Sequence, residues 1–326
     1  MGATFTGGFR RFRAGLALAT LGGTLLPAWG WGPVAHRTIG AIADAHLTPA
    51  AKTLVARTLG GATLADVANW ADAVRATPEY AHTAGYHFEQ MADGETYVES
   101  LRRRTPRQLE RGGLVAALMA AHLTLRDPRA PARDKTDALK FLAHLAGDVH
   151  QPLHTGRPED RGGSMIHFDW FGRRTTLHRA WDSGLILAGH PDLLRPGLTA
   201  REVSDTYARQ LLAQFEEIPV NVTMDVRGWM EESVSLRPAA YYPLYETDAA
   251  GYVAWNIADV DRRVYVAGFR LAKMLNDIAA RRPPPDSEGR LWEEMKSIMG
   301  DPRQIIRLRP LPGADRGAEP ARARRR

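Results

Sequence analysis

From Trp31 onward the apolar positions of the chain recur at helical spacing. In the stretch His36 to His46, Ile39, Ile42 and Ala43 fall on one face, the three-and-four pattern of an amphipathic helix. Thr48-Pro49 is a capping residue followed by a first-turn proline, and Gly60-Gly61 stops the helix it opens near Leu59. Similar patterns predict helices over 65–75, 113–125, 134–148, 178–188, 199–216, 226–236 and 250–280. One stretch breaks the period. Between Ile166 and Leu177, the residues Phe168, Trp170 and Phe171 are arranged around Gly172, which reads as a short hairpin or irregular loop. No repeat or linker interrupts 31–280. The fold class expected is therefore all-α, a single mostly helical domain over 31–280 with one short β-hairpin or loop near 165–177.

The two ends differ in texture. Arg10, Arg11 and Arg13 precede an apolar run from Ala14 to Leu26, too short to span a bilayer, and Ala28-Trp29-Gly30 puts small residues where a signal peptidase reads. This predicts a signal peptide over 1–30, a mature chain beginning at Trp31, and a secreted or periplasmic protein with no transmembrane anchor after processing. Beyond Ala280, Arg282-Pro283-Pro284-Pro285 cannot continue a helix. Residues 281–326 are expected to form a basic, Pro/Arg-rich mobile tail with room for one short helix at 288–299.

Composition sharpens this picture. The chain has 326 residues, 44% hydrophobic and 25% charged, an ordinary balance for a globular protein. The formal charge of +6 sits at the ends: 1–30 carries +3 and 281–326 carries +5, which leaves −2 on the body. A nucleic-acid binder relying on a basic groove would carry its charge in the body. An anionic substrate must be held here by something else, and bound metal is a candidate. There is no cysteine, which excludes disulfides, thiolate chemistry and cysteine zinc sites. Any metal must be held by His, Asp, Glu or backbone groups.

Histidines and aspartates supply that chemistry. His144 and Asp148 are four apart in a strongly apolar helix, so they share a face where burial without partners is costly. His178 and Asp182 repeat the spacing. Between the pairs lies His150-Gln-Pro-Leu-His154, and upstream stand His36, Asp72 and His87. A single pair of this kind is more often a surface hydrogen bond. Five histidines and three aspartates in apolar or aromatic contexts form the imidazole and carboxylate set that zinc accepts in hydrolytic sites.

The ordered motifs resemble the S1/P1 nuclease family of zinc-dependent nucleases. They are Trp-Gly-x-x-x-His (Trp31 to His36), Trp-Ala-Asp-x-x-Arg (Trp70 to Arg75), His87-Phe88, Ala-Leu-x-Phe-Leu-x-His-x-x-Gly-Asp-x-His-Gln-Pro-Leu-His (Ala138 to His154), Leu-His-x-x-Trp-Asp (Leu177 to Asp182), Trp-x-x-Glu-Ser (Trp229 to Ser233) and Ala-Gly-x-Arg-Leu-Ala-x-x-Leu-Asn (Ala267 to Asn276). The resemblance implies the helical fold shared by phospholipase C and P1 nuclease, and three zinc ions. One would be held by Asp72, His87, His144 and Asp148, a second by His154, His178 and Asp182, and a third by His36, Asp148 and the free amine and carbonyl of Trp31.

The resemblance also implies hydrolysis of single-stranded DNA or RNA by metal-activated hydroxide, leaving 5′-phosphates, with 3′-nucleotidase activity. Asp72, Arg75 and Asp148 would carry the catalysis. Phe88 would stack a base, and no stable protein partner is implied. The chain departs from the family at Gln90, where an acid often contacts the base, and at Ser164, where asparagine is usual. Both are candidate substrate-binding positions. His150 is expected outside the ligand set, and His46, His82, His122, His167 and His190 are expected to be structural or exposed. A zinc-dependent phospholipase C would have a longer gap before its first histidine and Glu where Asp182 stands. A zinc-stabilised binding protein would have no use for Arg75.

Overall fold

The computed structural model describes residues 31–215, 225–242 and 247–310. The expected signal segment 1–30 and the residues after 310 lie outside the described residues. Local chemistry sets most helix starts. Helix α1 (Pro33–His46) opens with proline in its first turn. Helix α2 (Pro49–Leu59) is capped by the Thr48 hydroxyl, which accepts from the amide of Ala51, and is closed by Gly60 at a left-handed φ of 65°. The expected helix over 65–75 is two pieces, α3 (Leu64–Val67) and α4 (Trp70–Val74). The break has a consequence at the site: the carbonyl of Ala68 faces His144 Nδ1 at 2.7 Å.

Two short helices were absent from the periodicity, α5 (Tyr97–Arg103) and α6 (Pro106–Glu110). Each begins with a capping box, in which Glu99 and Gln108 accept from the amides of Thr96 and Thr105. They are too short to display a period. Next come α7 (Leu114–Arg126) and α8 (Ala132–Asp148), close to their expected spans. The expected helix at 178–188 is α9 (Leu177–Arg179), a π-helical turn over Ala180–Gly184, and α10 (Leu185–Gly189). The remainder is α11 (Ala200–Phe215), α12 (Val226–Ser235), α13 (Arg237–Tyr241) and the long α14 (Ala249–Ala279).

Strands are few. Glu89–Gln90 (β1) pairs in parallel with Thr155–Gly156 (β2), a contact too short to show in the sequence. His167–Trp170 (β3) and Arg173–Thr176 (β4) form the expected antiparallel hairpin. Its turn residues Phe171 and Gly172 both have positive φ, 52° and 79°, as a twist-matched two-residue turn requires.

The tail differs from expectation. The proline run ends α14, but the chain turns back instead of trailing away. Helix α15 (Asp286–Met299) buries Leu291 and Met295, and after α16 (Pro302–Ile305) Ile306 and Leu308 are also buried. The carboxylate of buried Glu288 lies 3.2 Å from His122 Nδ1 on α7. The reason is a one-sided apolar face on α15, which proline-rich flanking sequence obscured.

Helix α1 runs through the middle, packed on α14, α11 and α3, while α7 packs on α8. Small residues let the backbones approach. A Cβ added at Gly40 would lie 2.6 Å from Ala65 Cα, and one at Gly268 would lie 2.7 Å from Ile42 Cβ. Tight packing holds α1 and α8 at a fixed separation. Among the described residues no helix is long and apolar enough to cross a membrane.

Candidate metal centre

Three groups of ligand-type side chains meet where α1, α8 and the π-helical turn converge. They are His36, His144 and Asp148; Asp72, His87 and His144; and His154, His178 and Asp182. Asp148 is central. Its Oδ1 lies 3.4 Å from His36 Nε2 and 3.2 Å from His154 Nδ1, and its Oδ2 lies 3.1 Å from His144 Nε2 and 3.2 Å from His87 Nδ1. Asp72 Oδ1 is 3.5 Å from His87 Nδ1 and 3.6 Å from His144 Nε2. Across the site, Asp182 is 3.5 Å from His154 Nε2 through one oxygen and 3.5 Å from His178 Nε2 through the other.

These residues fit zinc on chemical grounds. Two ligand atoms at ~2.0–2.1 Å from one tetrahedral zinc stand roughly 3.3 Å apart. The spacings above cluster around that value. Both ring nitrogens of His36 and of His154, His87 Nε2, both oxygens of Asp148, Asp72 Oδ1 and Asp182 Oδ2 are buried without a hydrogen-bond partner among the described residues. So many desolvated acceptors in one place would be costly unless a cation satisfies them. His87 Nδ1 and His144 Nε2 face each other at 2.9 Å, as two ligands of one ion do.

Charge points the same way. Burial would raise the Asp148 carboxyl, yet His144 and His154 hold it well below the ordinary carboxylate range. Burial would lower His154, yet Asp148 and Asp182 hold it up at about 10. His87 is pushed down to about 4, chiefly by burial, so its ring stays neutral and able to coordinate in mildly acidic solution.

The candidate ligands are held by backbone bonds that only the fold supplies. His178 Nδ1 lies 2.7 Å from the carbonyl of Gly162, and His144 Nδ1 from that of Ala68, which orient both rings. Gln151 donates to Asp182 Oδ1 at 2.8 Å. Its role was missed in the sequence because it lies inside a motif already read for His150 and His154.

The end of α8, which carries Asp148, is capped from several sides. Trp31 Nε1 donates to the carbonyl of Gly147 at 3.0 Å, and Ser233 Oγ to that of Val149 at 2.6 Å. His150 lies outside the three groups. Its Nδ1 lies 2.7 Å from the carbonyl of Ala146 and its Nε2 lies 2.9 Å from Arg270. Arg263 donates to the carbonyl of His150, and Glu232 receives both arginines. These bonds explain the Trp-x-x-Glu-Ser and Ala-Gly-x-Arg motifs: they brace the ligand helix from behind.

Trp31 is fully buried, and the next amide, Gly32, donates to the carbonyl of Asp182 at 2.7 Å. The chain start of the described fold is thus stitched to two ligand-bearing segments. Arg75 Nη1 stands 3.3 Å from Asp72 Oδ1 at the edge of the centre. Phe88, Gln90 and Ser164 come together with Leu153, His154 and His178 around a cavity of about 260 Å³. Phe88 is 39% exposed, unusual for a phenylalanine, and opens onto that cavity. Buried Arg237 fastens the adjoining strands, donating to the carbonyls of Met91 and Thr155. It too was invisible to sequence reasoning, because its partners are main-chain atoms. His46, His82, His122, His167 and His190 belong to none of the three groups.

Three His/Asp groups packed around one buried carboxylate, beside a cavity with an aromatic lip, define a metal-dependent hydrolase. The chain belongs to the S1/P1 nuclease family: residues 31–280 match the family described as S1/P1 Nuclease. Members of this zinc-dependent family are hydrolases acting on phosphodiester bonds, and nucleic acid is their substrate. The chain is 28% identical over 265 residues to Endonuclease 3 of Arabidopsis thaliana, covering 76% of this chain and 88% of the relative. It is 26% identical over 294 residues to Nuclease S1 of Aspergillus oryzae, covering 82% and 96%. It is 24% identical over 277 residues to Nuclease P1 of Penicillium citrinum, covering 76% and 97%.

Proposed function

We propose that this nuclease cleaves the P–O3′ bonds of single-stranded DNA and RNA, leaving 5′-phosphates, and also removes 3′-phosphates from mononucleotides. The observation that carries the reading is the juxtaposition of the Asp148-centred ligand groups with the cavity bearing exposed Phe88. Zinc would be held in three places: by Asp72, His87, His144 and Asp148; by His154, His178 and Asp182; and by His36, Asp148 and Trp31. When bound, zinc supplies a nucleophilic water at neutral pH and stabilises the leaving oxygen.

The chain's own residues do the rest. Arg75, beside Asp72 and at the rim, offers a fixed guanidinium to the phosphoryl oxygens as charge builds on them. Phe88 presents a ring face on which any base can stack. A base in that cavity has left its stack, so a duplex must first be opened. That requirement favours single strands. Gln90 and Ser164 line the same cavity and set what the base edge meets.

The test pairs two substrates on zinc-loaded protein. Denatured DNA or RNA should be hydrolysed faster than phosphatidylcholine, and the reverse ranking would make the chain a phospholipase.

The reading includes secretion, with residues 1–30 removed as a signal peptide. The nitrogen of Trp31 is an amide in the precursor and an amine after cleavage, and only the amine is a good zinc ligand. A chain beginning at Trp29 should therefore bind about one zinc ion fewer than a chain beginning at Trp31, by metal analysis, and lose activity with it. Equal zinc content and activity in the two forms would remove Trp31 from the ligand set.

A further inference from the structure

Arg161 is the one arginine lining the cavity beside the metal centre. It carried no role in the sequence reading. Its backbone is left-handed, with φ of 53°, a conformation that non-glycine residues adopt rarely and that clusters at functional positions. The turn that imposes it is tied on both sides. The amide of Gly162 donates to the carbonyl of Arg157, the amide of Met165 to that of Asp160, and the amide of Gly163 to Asp160 Oδ1. The carbonyl of the next residue, Gly162, is the one that orients His178. The backbone of Arg161 is therefore fixed relative to the centre, while its side chain is exposed and among the described residues no hydrogen bond or ion pair engages its guanidinium.

The rest of the wall is poor in free anionic acceptors. Glu89 also lines the cavity, but its carboxylate is taken by Arg104 and by the amide of Val115. Asp160 precedes Arg161 in the turn but does not line the cavity, and its carboxylate is occupied by Gly163 and the Tyr241 hydroxyl. Gln90 offers an amide and Ser164 a hydroxyl. Arg161 is thus the lining residue that offers an unpaired planar fork of donors on the cavity that Phe88 shares. Guanine presents two adjacent acceptors, N7 and O6, that match a guanidinium bidentately, whereas adenine presents a donor beside N7.

We infer that Arg161 is a specificity-determining residue that reads the acceptor edge of guanine in the nucleotide whose 3′-oxygen is released. This inference rests on the nuclease reading above. The experiment measures kcat/KM of the zinc-loaded mature chain on the dinucleoside monophosphates GpU, ApU, CpU and UpU. The wild-type ratio of GpU to ApU should be about 10 or more, the scale of one bidentate base contact.

In Arg161→Gly that ratio should fall to about 1 while UpU changes less than about threefold, since glycine adopts the left-handed backbone freely and leaves the turn intact. Arg161→Lys, a point charge without the fork, should keep only part of the ratio. A wild-type ratio near 1, or an Arg161→Gly loss equal on all four substrates, would overturn the inference; the second result would mean that the guanidinium grips phosphate. Wild-type protein that cleaves none of the four would sink the nuclease reading, and this inference with it.

Discussion

Asp148→Asn should lower kcat/KM on single-stranded nucleic acid by on the order of 10³-fold or more, and reduce bound zinc from about three ions to about one. Asp148 is the residue that all three histidine neighbourhoods share. Its two oxygens lie 3.1 to 3.4 Å from His36, His87, His144 and His154. Asparagine keeps the shape but loses the charge. It also turns one of the two oxygens into a donor, which cannot ligate. In the proposed assignment two of the three zinc sets, the one with Asp72, His87 and His144 and the one with His36 and Trp31, would lose a ligand in one substitution, whereas His154, His178 and Asp182 form a group without Asp148. The helix end that carries residue 148 is braced by Trp31, Ser233, Arg263 and His150, so the variant should still fold. Zinc analysis and kinetics on the same preparation decide the matter. Three zinc ions with activity within tenfold of wild type would remove Asp148 from its bridging role.

Stripping zinc with a chelator should lower the melting temperature by ~10 °C or more. An ion present at 1,000 times its dissociation constant stabilises the folded state by about 4 kcal/mol. In a domain of this size each kcal/mol moves the midpoint by ~2–4 °C. The effect is large here for a structural reason. Many of the candidate ligand atoms, both oxygens of Asp148 and both nitrogens of His36 and His154 among them, are buried without a hydrogen-bond partner among the described residues, so the stripped protein holds desolvated carboxylates and imidazoles against one another. No disulfide offsets the loss, since the chain has no cysteine. Added zinc should restore the midpoint and magnesium should not, because the donors are imidazoles as well as carboxylates. A midpoint unmoved within about 2 °C after complete zinc removal would show that the groups are not filled in the native protein.

Most of the framework was legible from the pattern of residues. Long helices such as α8 and α14 display many turns of apolar spacing, and Thr48-Pro49 with Gly60 marks both ends of α2. What escaped was short or non-local. Helices α5 and α6 have capping boxes but no room for a period. The β1–β2 contact joins residues 66 positions apart through only two pairs. The seating of α15 on the body depends on Leu291 and Met295 finding apolar neighbours, which no local signal reports.

The candidate ligand residues were legible in the sequence itself. One imidazole–carboxylate pair at a four-residue spacing is more often a surface hydrogen bond, but five histidines and three aspartates in apolar or aromatic contexts, in ordered motifs, point to the family. Tertiary structure alone decided how those side chains meet. The helix break at Ala68 and the turn at Gly162 supply carbonyls that aim His144 and His178, and the π-helical turn sets Asp182 against His154. It also decided that Gln151 and Arg237 matter, and that Arg161 stands unpaired in the wall of the cavity. The physical reason is the same in each case. A residue type fixes which bonds a side chain can make, but the partner is often a backbone atom far along the chain, and only the packed fold brings that atom within reach.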